Sequence, residues 1–197
     1  QGMVCHETYR DKNNNWLYPD EIFKDETNQK AYRLTDKSKV LIGPSESMSK
    51  SKKNTIDPET MIDKYGADAI RWFILSDSPP EKDIQWSDVG VVSANKFMQK
   101  IWNLSYSITK RIDLEEETTD KEDFESSIKS LIYKIDQSIE NLRFNVSIAL
   151  FYEAYNLFQK NLKKKIKNQT LKTSFISILK LMVPFVPHLG YECLERL

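Results

Sequence analysis

Three lysines and three serines crowd into Ser47-Met48-Ser49-Lys50-Ser51-Lys52-Lys53-Asn54. Ammonium groups neutralise phosphate oxygens as point charges. Hydroxyls and loop N–H groups add hydrogen bonds to the same oxygens. The chemistry that fits is a clamp on a polyphosphate. A solvated lysine-rich loop has the same composition, and short basic runs match by chance often. On these residues alone both readings stay open. Gly43-Pro44-Ser45 upstream reads as a break in the chain, and Asp57-Pro58 downstream as a helix start.

Other chemically able residues are sparse. His6 and His188 are the only two histidines. Neither has an acid–base partner at a telling spacing, so each is expected to be structural: His6 near a strand end, His188 where two helices meet. Cys5 and Cys193 stand at opposite ends with no CxxC partner, which argues against a zinc site and predicts no metal. Arg71 is a candidate for a nucleotide or nucleic-acid phosphate, although a solvated or salt-bridged arginine is the commoner case. Lys160, Lys163, Lys164, Lys165 and Lys167 form a basic cluster. A helix C-terminus favours cations through its macrodipole alone, so this cluster too has a purely structural reading.

The elements that must position these groups divide into a β-containing start and a helical remainder. Met3 to Tyr9 reads as a strand or a helix-to-strand exit, and Asp11 to Asn15 as a polar turn between Tyr9 and Trp16 that suggests a hairpin. Ala31–Leu34 and Val40–Ile42 read as a second pair around Thr35 to Lys39. All β structure is expected within the first forty or so residues. Asp57 caps a helix carrying Met61, Ile62 and Tyr65 that stops at a left-handed Gly66. A second helix has Asp68 as its cap or in its first turn, buries Ile70, Phe73 and Ile74 by i, i+3, i+4 spacing, and ends at Pro79-Pro80.

From about Ser87 apolar stripes recur at helical spacing. They are Phe97, Ile101, Leu104 and Ile108; then Ile128, Leu131, Ile132, Ile135, Ile139 and Leu142; then, after an Asn145 cap, Ala149, Leu150, Leu157, Phe158 and Leu162; then Phe175, Ile178, Leu179 and Met182. Such stripes are core, and the fold class is mainly α, an antiparallel helical bundle preceded by a small β-containing stem. Pro184 and Pro187 end the fourth helix and His188 opens another. Asp113 to Glu125, with Thr118-Thr119 inside, reads as an acidic solvated loop unsuited to RNA.

Longer runs carry a family resemblance. Met48-Ser49-Lys50-Ser51 resembles the KMSKS signature of class I aminoacyl-tRNA synthetases. Its extension through Lys52-Lys53-Asn54-Thr55-Ile56-Asp57-Pro58 resembles the leucyl-tRNA synthetases. So do Lys64-Tyr65-Gly66-Ala67-Asp68-Ala69-Ile70-Arg71-Trp72-Phe73, then Ser78-Pro79-Pro80-Glu81 and Trp86-Ser87-Asp88 in order and spacing. Leu142-Arg143-Phe144-Asn145 and Leu179 to Leu189 are similar to that family's anticodon-binding domain. One departure stands out: the signature's first lysine is Ser47 here.

The resemblance implies a ligase that activates leucine with ATP, accompanied by Mg²⁺, and passes the leucyl group to tRNA(Leu). It implies ATP binding by Ser47, Met48, Ser49, Lys50 and Ser51, with Lys50 the main phosphate ligand. Lys52 and Lys53 are candidates for the phosphates or the tRNA backbone, and Arg71, Lys163, Lys164 and Lys165 for tRNA. The implied division is 1–46 as the end of a catalytic domain with a small β insertion, 47–86 as the signature loop and its contact helices, and 87–197 as the anticodon-binding bundle. Other class I enzymes (isoleucyl, valyl or methionyl) and a non-catalytic RNA-binding helical module remain alternatives.

The bounds agree. In 197 residues, 29 basic side chains balance 29 acidic ones, which argues against a uniformly basic nucleic-acid binder and leaves local patches open. A hydrophobic content of 40% supports a real core. No apolar run is long enough to span a bilayer. Two cysteines fit a reducing cytosol, bacterial or organellar. The chain opens on Gln1 and has no HIGH-type motif, since Glu7-Thr8-Tyr9 follow His6. It is therefore expected to be a monomeric fragment that holds no cofactor tightly and does not aminoacylate alone.

Overall fold

The computed structural model describes residues 2–25, 27–111 and 120–197. The described residues form two compact units: 1–64 with 81–87, and 65–80 with 88–197.

The first unit is a small curled sheet. Its strands are β1 (Val4–Arg10), β2 (Trp16–Leu17), β3 (Ile22–Asp25), β4 (Lys30–Arg33), β5 (Lys39–Ser47) and β6 (Ile84–Gln85). Both expected hairpins are present, with Tyr9 opposite Leu17 and Ala31 opposite Val40. The order is β2-β1-β5-β4-β3. β6 runs parallel to β1, with Val4 opposite Ile84, so β structure is not confined to the first forty residues. Two residues give β6 no periodicity to detect. Tyr9, Leu17, Ala31 and Val40 form the core, with Ile22 and Ile42 packed against them.

Gly43-Pro44 is a bulge inside β5 rather than a break. Glu7 faces Ser45, but Tyr9 faces Ile42, so β5 carries one extra residue there. Thr8 is buried at this point and its hydroxyl donates to the Pro44 carbonyl at 3.1 Å. A Cβ on Gly43 would run into Thr8 Oγ1, which explains the glycine. Proline, lacking an N–H, is tolerated in a strand at such an irregularity.

Helix α1 (Pro58–Tyr65) starts as expected. Asp57 accepts from the Glu59 and Thr60 N–H groups and from the Thr60 hydroxyl at 2.6 Å. Gly66 follows at φ 82° and ψ 150°, a positive φ with extended ψ that is essentially closed to side chains.

The second unit is a helical bundle of α2 (Ala67–Ser76), α3 (Asp88–Lys110), α4 (Asp120–Glu140), α5 (Phe144–Asn161), α6 (Asn168–Met182) and α7 (Pro187–Arg196). α4 packs on α5 and α6, α2 on α3 and α5, and α7 on α6 and α3. The α3 and α6 stripes are buried as expected. Other expectations need correction.

In α2 the inward residues are Asp68, Ala69, Trp72 and Phe73, while Ile70 and Ile74 are only half-buried. Trp72 is the anchor. Its ring lies 5.1 Å from Phe97 and 5.8 Å from Phe151, with Tyr152 and Phe185 completing the cluster. In α5 the buried face is Ser147, Ile148, Phe151, Ala154, Phe158 and Asn161; Ala149 is exposed and Leu150 and Leu157 are half-buried. A helix face with serine at one end and asparagine at the other hides from an apolar count. The Ser147 and Ser138 hydroxyls satisfy each other at 2.7 Å between α5 and α4.

Leu142 leaves the α4 stripe altogether. It sits past the helix end at φ 55° and is 62% exposed, so helical spacing does not govern it. α5 starts at Phe144 with Arg143 before it, so Asn145 lies inside the first turn rather than capping. Of the acidic segment, 112–119 with Thr118-Thr119 lie outside the described residues. From Asp120 the chain is already α4, and Phe124 is buried there against Phe158.

Candidate phosphate-binding loop

The loop hangs from the ends of two paired strands. β5 ends at Ser47, whose partner on β1 is Cys5, and the Met48 N–H donates to the Val4 carbonyl at 3.1 Å. Lys50–Lys52 then make one 3-10 turn, entered through an extended Ser49 (φ −148°, ψ 135°). Lys53 leaves it at φ 53°. The Ser49 and Ser51 hydroxyls lie 2.8 Å apart across the turn.

The turn closes on a side chain that sequence reasoning did not single out. Asn54 is fully buried. Its Oδ1 accepts the Ser49 N–H at 2.8 Å. Its Nδ2 faces the carbonyls of His6, Glu46 and Ser47 at 3.2, 3.1 and 3.4 Å. Only its place at the end of the signature run marked it. His6 lies within β1 rather than at a strand end; its Nδ1 meets the Glu7 carbonyl at 3.0 Å, and its own carbonyl serves Asn54.

The three lysines are not equivalent. Lys52 Nζ is ion-paired with the Glu46 carboxylate on β5. Lys53 Nζ stands over the Tyr18 ring, 5.0 Å from its centroid. Lys50 is exposed and, among the described residues, has neither an acidic nor an aromatic partner. The loop thus leaves the Lys50 side chain exposed, while Glu46 and Tyr18 engage the other two lysines. Glu46 and Tyr18 were also missed, because partners from a neighbouring strand or hairpin leave no spacing signal.

Deeper in the sheet, Glu7 accepts from Lys24 at 2.7 Å and from the Tyr9 hydroxyl at 2.9 Å. Burial pushes its carboxyl up, but these hydrogen bonds and the Lys24 charge outweigh burial and hold it below the usual glutamate value.

The remaining candidates belong to the helical unit, in two separate places. Arg71 Nε donates to the Phe185 carbonyl at 3.1 Å and its Nη2 to the Pro184 carbonyl at 2.6 Å, just past the C-terminus of α6. Lys163, Lys164 and Lys165 follow Asn161, so they occupy the α5–α6 connection rather than the end of α5. Arg111 holds that connection through the Leu162 and Lys164 carbonyls at 2.9 and 2.7 Å. The 15 residues of α6 put about 22 Å between the two places. His188 joins helices as expected: its Nδ1 meets Asp68 at 2.9 Å, and Asp68 also accepts the Leu189 N–H at 2.7 Å in the first turn of α7.

Among the described residues no three His, Cys, Asp or Glu side chains gather as metal ligands, and no helix is long and apolar enough to cross a membrane. Cys193 is buried, which pushes its thiol up.

Comparison with known proteins places these features in a family. The model described as tRNA synthetases class I (I, L, M and V) matches residues 32–87, and the one for the anticodon-binding domain of tRNA ligase matches residues 121–197. A leucine–tRNA ligase of Orientia tsutsugamushi is 42% identical over 192 residues, which are 98% of this chain and 22% of that protein. A leucine–tRNA ligase of Rickettsia bellii is 40% identical over 198 residues, 100% of this chain and 23% of that protein. The chain thus spans under a quarter of the length of these curated relatives.

Among solved structures, the LeuRS of the Agrobacterium radiobacter K84 agnB2 LeuRS–tRNA–LeuAMS complex aligns with a TM-score of 0.68 at 23% identity, over 77% of this chain and 21% of that one. Methionyl-tRNA synthetase of Mycobacterium tuberculosis aligns at 0.59 and 15% identity, over 75% and 35%. At those identities the structures establish a shared fold. The sequence matches establish more: the chain belongs to the class I tRNA synthetase family, and the two curated relatives named above are leucine–tRNA ligases.

Proposed function

We propose that the chain acts as part of a leucyl-tRNA synthetase, supplying the loop that meets ATP phosphates and a bundle that holds tRNA(Leu). The full enzyme joins leucine to ATP to form leucyl-adenylate, releases pyrophosphate, and transfers the leucyl group to the tRNA. The observation that carries the loop's role is the sorting of its lysines. Lys52 and Lys53 are engaged by Glu46 and Tyr18, and Lys50 is exposed. A positioned cation acts on negative charge that develops on the leaving pyrophosphate, which is electrostatic catalysis without a covalent nucleophile. Ser47, Met48, Ser49 and Ser51 shape the turn that carries Lys50.

Mg²⁺ enters with the nucleotide, as its counter-ion. Lys52 and Lys53 become available to phosphate or RNA only by exchanging the partners they have. Lys163, Lys164 and Lys165 are the bundle's candidates for the tRNA backbone. Arg71 reaches RNA only with a guanidinium that already serves two carbonyls. The working division is 1–46, 47–86 and 87–197, in a monomer of the bacterial cytoplasm. The tRNA and LeuAMS bound by the Agrobacterium LeuRS support this reading, as do the leucine–tRNA ligase relatives.

The test is amino-acid-dependent exchange of pyrophosphate into ATP by the full-length enzyme. Exchange driven by leucine well above that by isoleucine, valine or methionine is expected. Exchange driven best by one of the other three would move the enzyme to another branch of the family.

A further inference from the structure

We infer that Asn54 is a positioning residue for amino-acid activation, acting through Lys50; the inference rests on the proposed role of that lysine. The loop contains no hydrophobic anchor of its own: among residues 47–53 none is buried. Beside it Asn54 is fully buried, at 0% exposure. One amide spans three segments of backbone: β1 through His6, the end of β5 through Glu46 and Ser47, and the loop entry through Ser49.

The chemistry selects asparagine narrowly. The site needs an acceptor for one N–H and a donor for carbonyls, from one short side chain. Aspartate supplies the acceptor but turns a carboxylate towards carbonyl oxygens. Alanine supplies neither and leaves a cavity. Lys53 makes the geometry reachable, since its positive φ turns the chain so that the next side chain points inward.

Fixing the Ser49 N–H fixes the backbone from which Lys50 springs. A lysine side chain is flexible, so the place of its root decides how much freedom is lost when the ammonium meets phosphate charge. Displacement of a catalytic group by about 1 Å can cost roughly a hundredfold in rate. Asn54 touches no reacting atom, and its effect reaches the chemistry only by way of Lys50.

A double-mutant cycle in the full-length enzyme separates positioning from mere folding. Asn54→Ala and Asn54→Asp are expected to lower kcat for leucine-dependent pyrophosphate exchange by roughly ten- to a hundredfold, with KM for leucine within about twofold of the parent. In a Lys50→Ala background the same changes are expected to have little further effect, because the group they position is gone. Backbone amide exchange across Ser49–Lys53 is expected to speed up in both Asn54 variants.

Asn54→Asp keeps the side-chain volume, so it serves if Asn54→Ala fails to fold. Losses that multiply with Lys50→Ala would overturn the inference, as would Asn54 variants that lose stability with kcat intact. A normal rate in Lys50→Ala would instead overturn the underlying reading of Lys50.

Discussion

Gly43 lacks a side chain because Thr8 occupies the space that one would need. Thr8 cannot step aside cheaply, since it is buried and its hydroxyl is committed to the Pro44 carbonyl. Gly43→Ala is therefore expected to destabilise the protein by about 1–3 kcal/mol, the usual cost of overpacking. In a Thr8→Ala background the clashing atom is gone, and the added cost of Gly43→Ala should fall below about 1 kcal/mol. Denaturant midpoints for the four proteins of this cycle check it, and equal costs in both backgrounds would place the strain elsewhere. The same residues show what was legible at this scale. The Gly-Pro pair was visible as punctuation, but a bulge is defined by the facing strand, which a linear pattern does not contain. Lys50 was singled out through the signature. Asn54, Glu46 and Tyr18 were not, because what they do depends on backbone groups and ammonium heads brought to them by β1, β5 and the β2–β3 connection.

Helices were legible in proportion to how apolar their buried faces are. The α3 and α6 stripes are plain Phe, Ile, Leu and Met, and the periodicity found them. The α2 and α5 faces include Asp68, Ser147 and Asn161, each buried with a hydrogen-bond partner, and there the pattern slipped to the neighbouring residues. Asp68 matters most among these. It is the buried acceptor for the first turn of α7, where a carboxylate satisfies an N–H with no helical partner and meets the positive end of the macrodipole. Its side chain is 10% exposed, while that of His188 is 78% exposed. Asp68→Ala is expected to cost about 1–2 kcal/mol, and His188→Ala no more than about 0.5 kcal/mol. Chemical denaturation of both variants tests the ranking; a larger loss from His188→Ala would make the imidazole, not the cap, the reason for the pair.

At the scale of the molecule the chain consists of a sheet that carries the signature loop and a bundle with a basic connection. The family was legible from runs such as Met48 to Pro58, whereas the two-unit division was not, because 81–87 return to the sheet after α2 has joined the bundle. If Lys163, Lys164 and Lys165 face tRNA, changing all three to Ala in the full-length enzyme should flatten the dependence of log K on log salt by about 0.7–0.9 for each phosphate no longer neutralised. An unchanged slope, measured by filter binding over a salt series, would leave them as residues of the α5–α6 connection that do not meet the RNA. The most direct test of the loop's role is pyrophosphate exchange by Lys50→Ala. Lys50 is exposed, whereas Lys52 and Lys53 have partners, and with Ser47 in place of the signature's first lysine Lys50 is proposed to carry more of the charge that meets the phosphates. The expected result is a fall in the leucine-activation rate on the order of a hundredfold, about 3 kcal/mol of transition-state stabilisation, with KM for leucine little changed. An exchange rate near that of the parent, or a loss confined to leucine affinity, would contradict it and shift attention to Lys52 and Lys53.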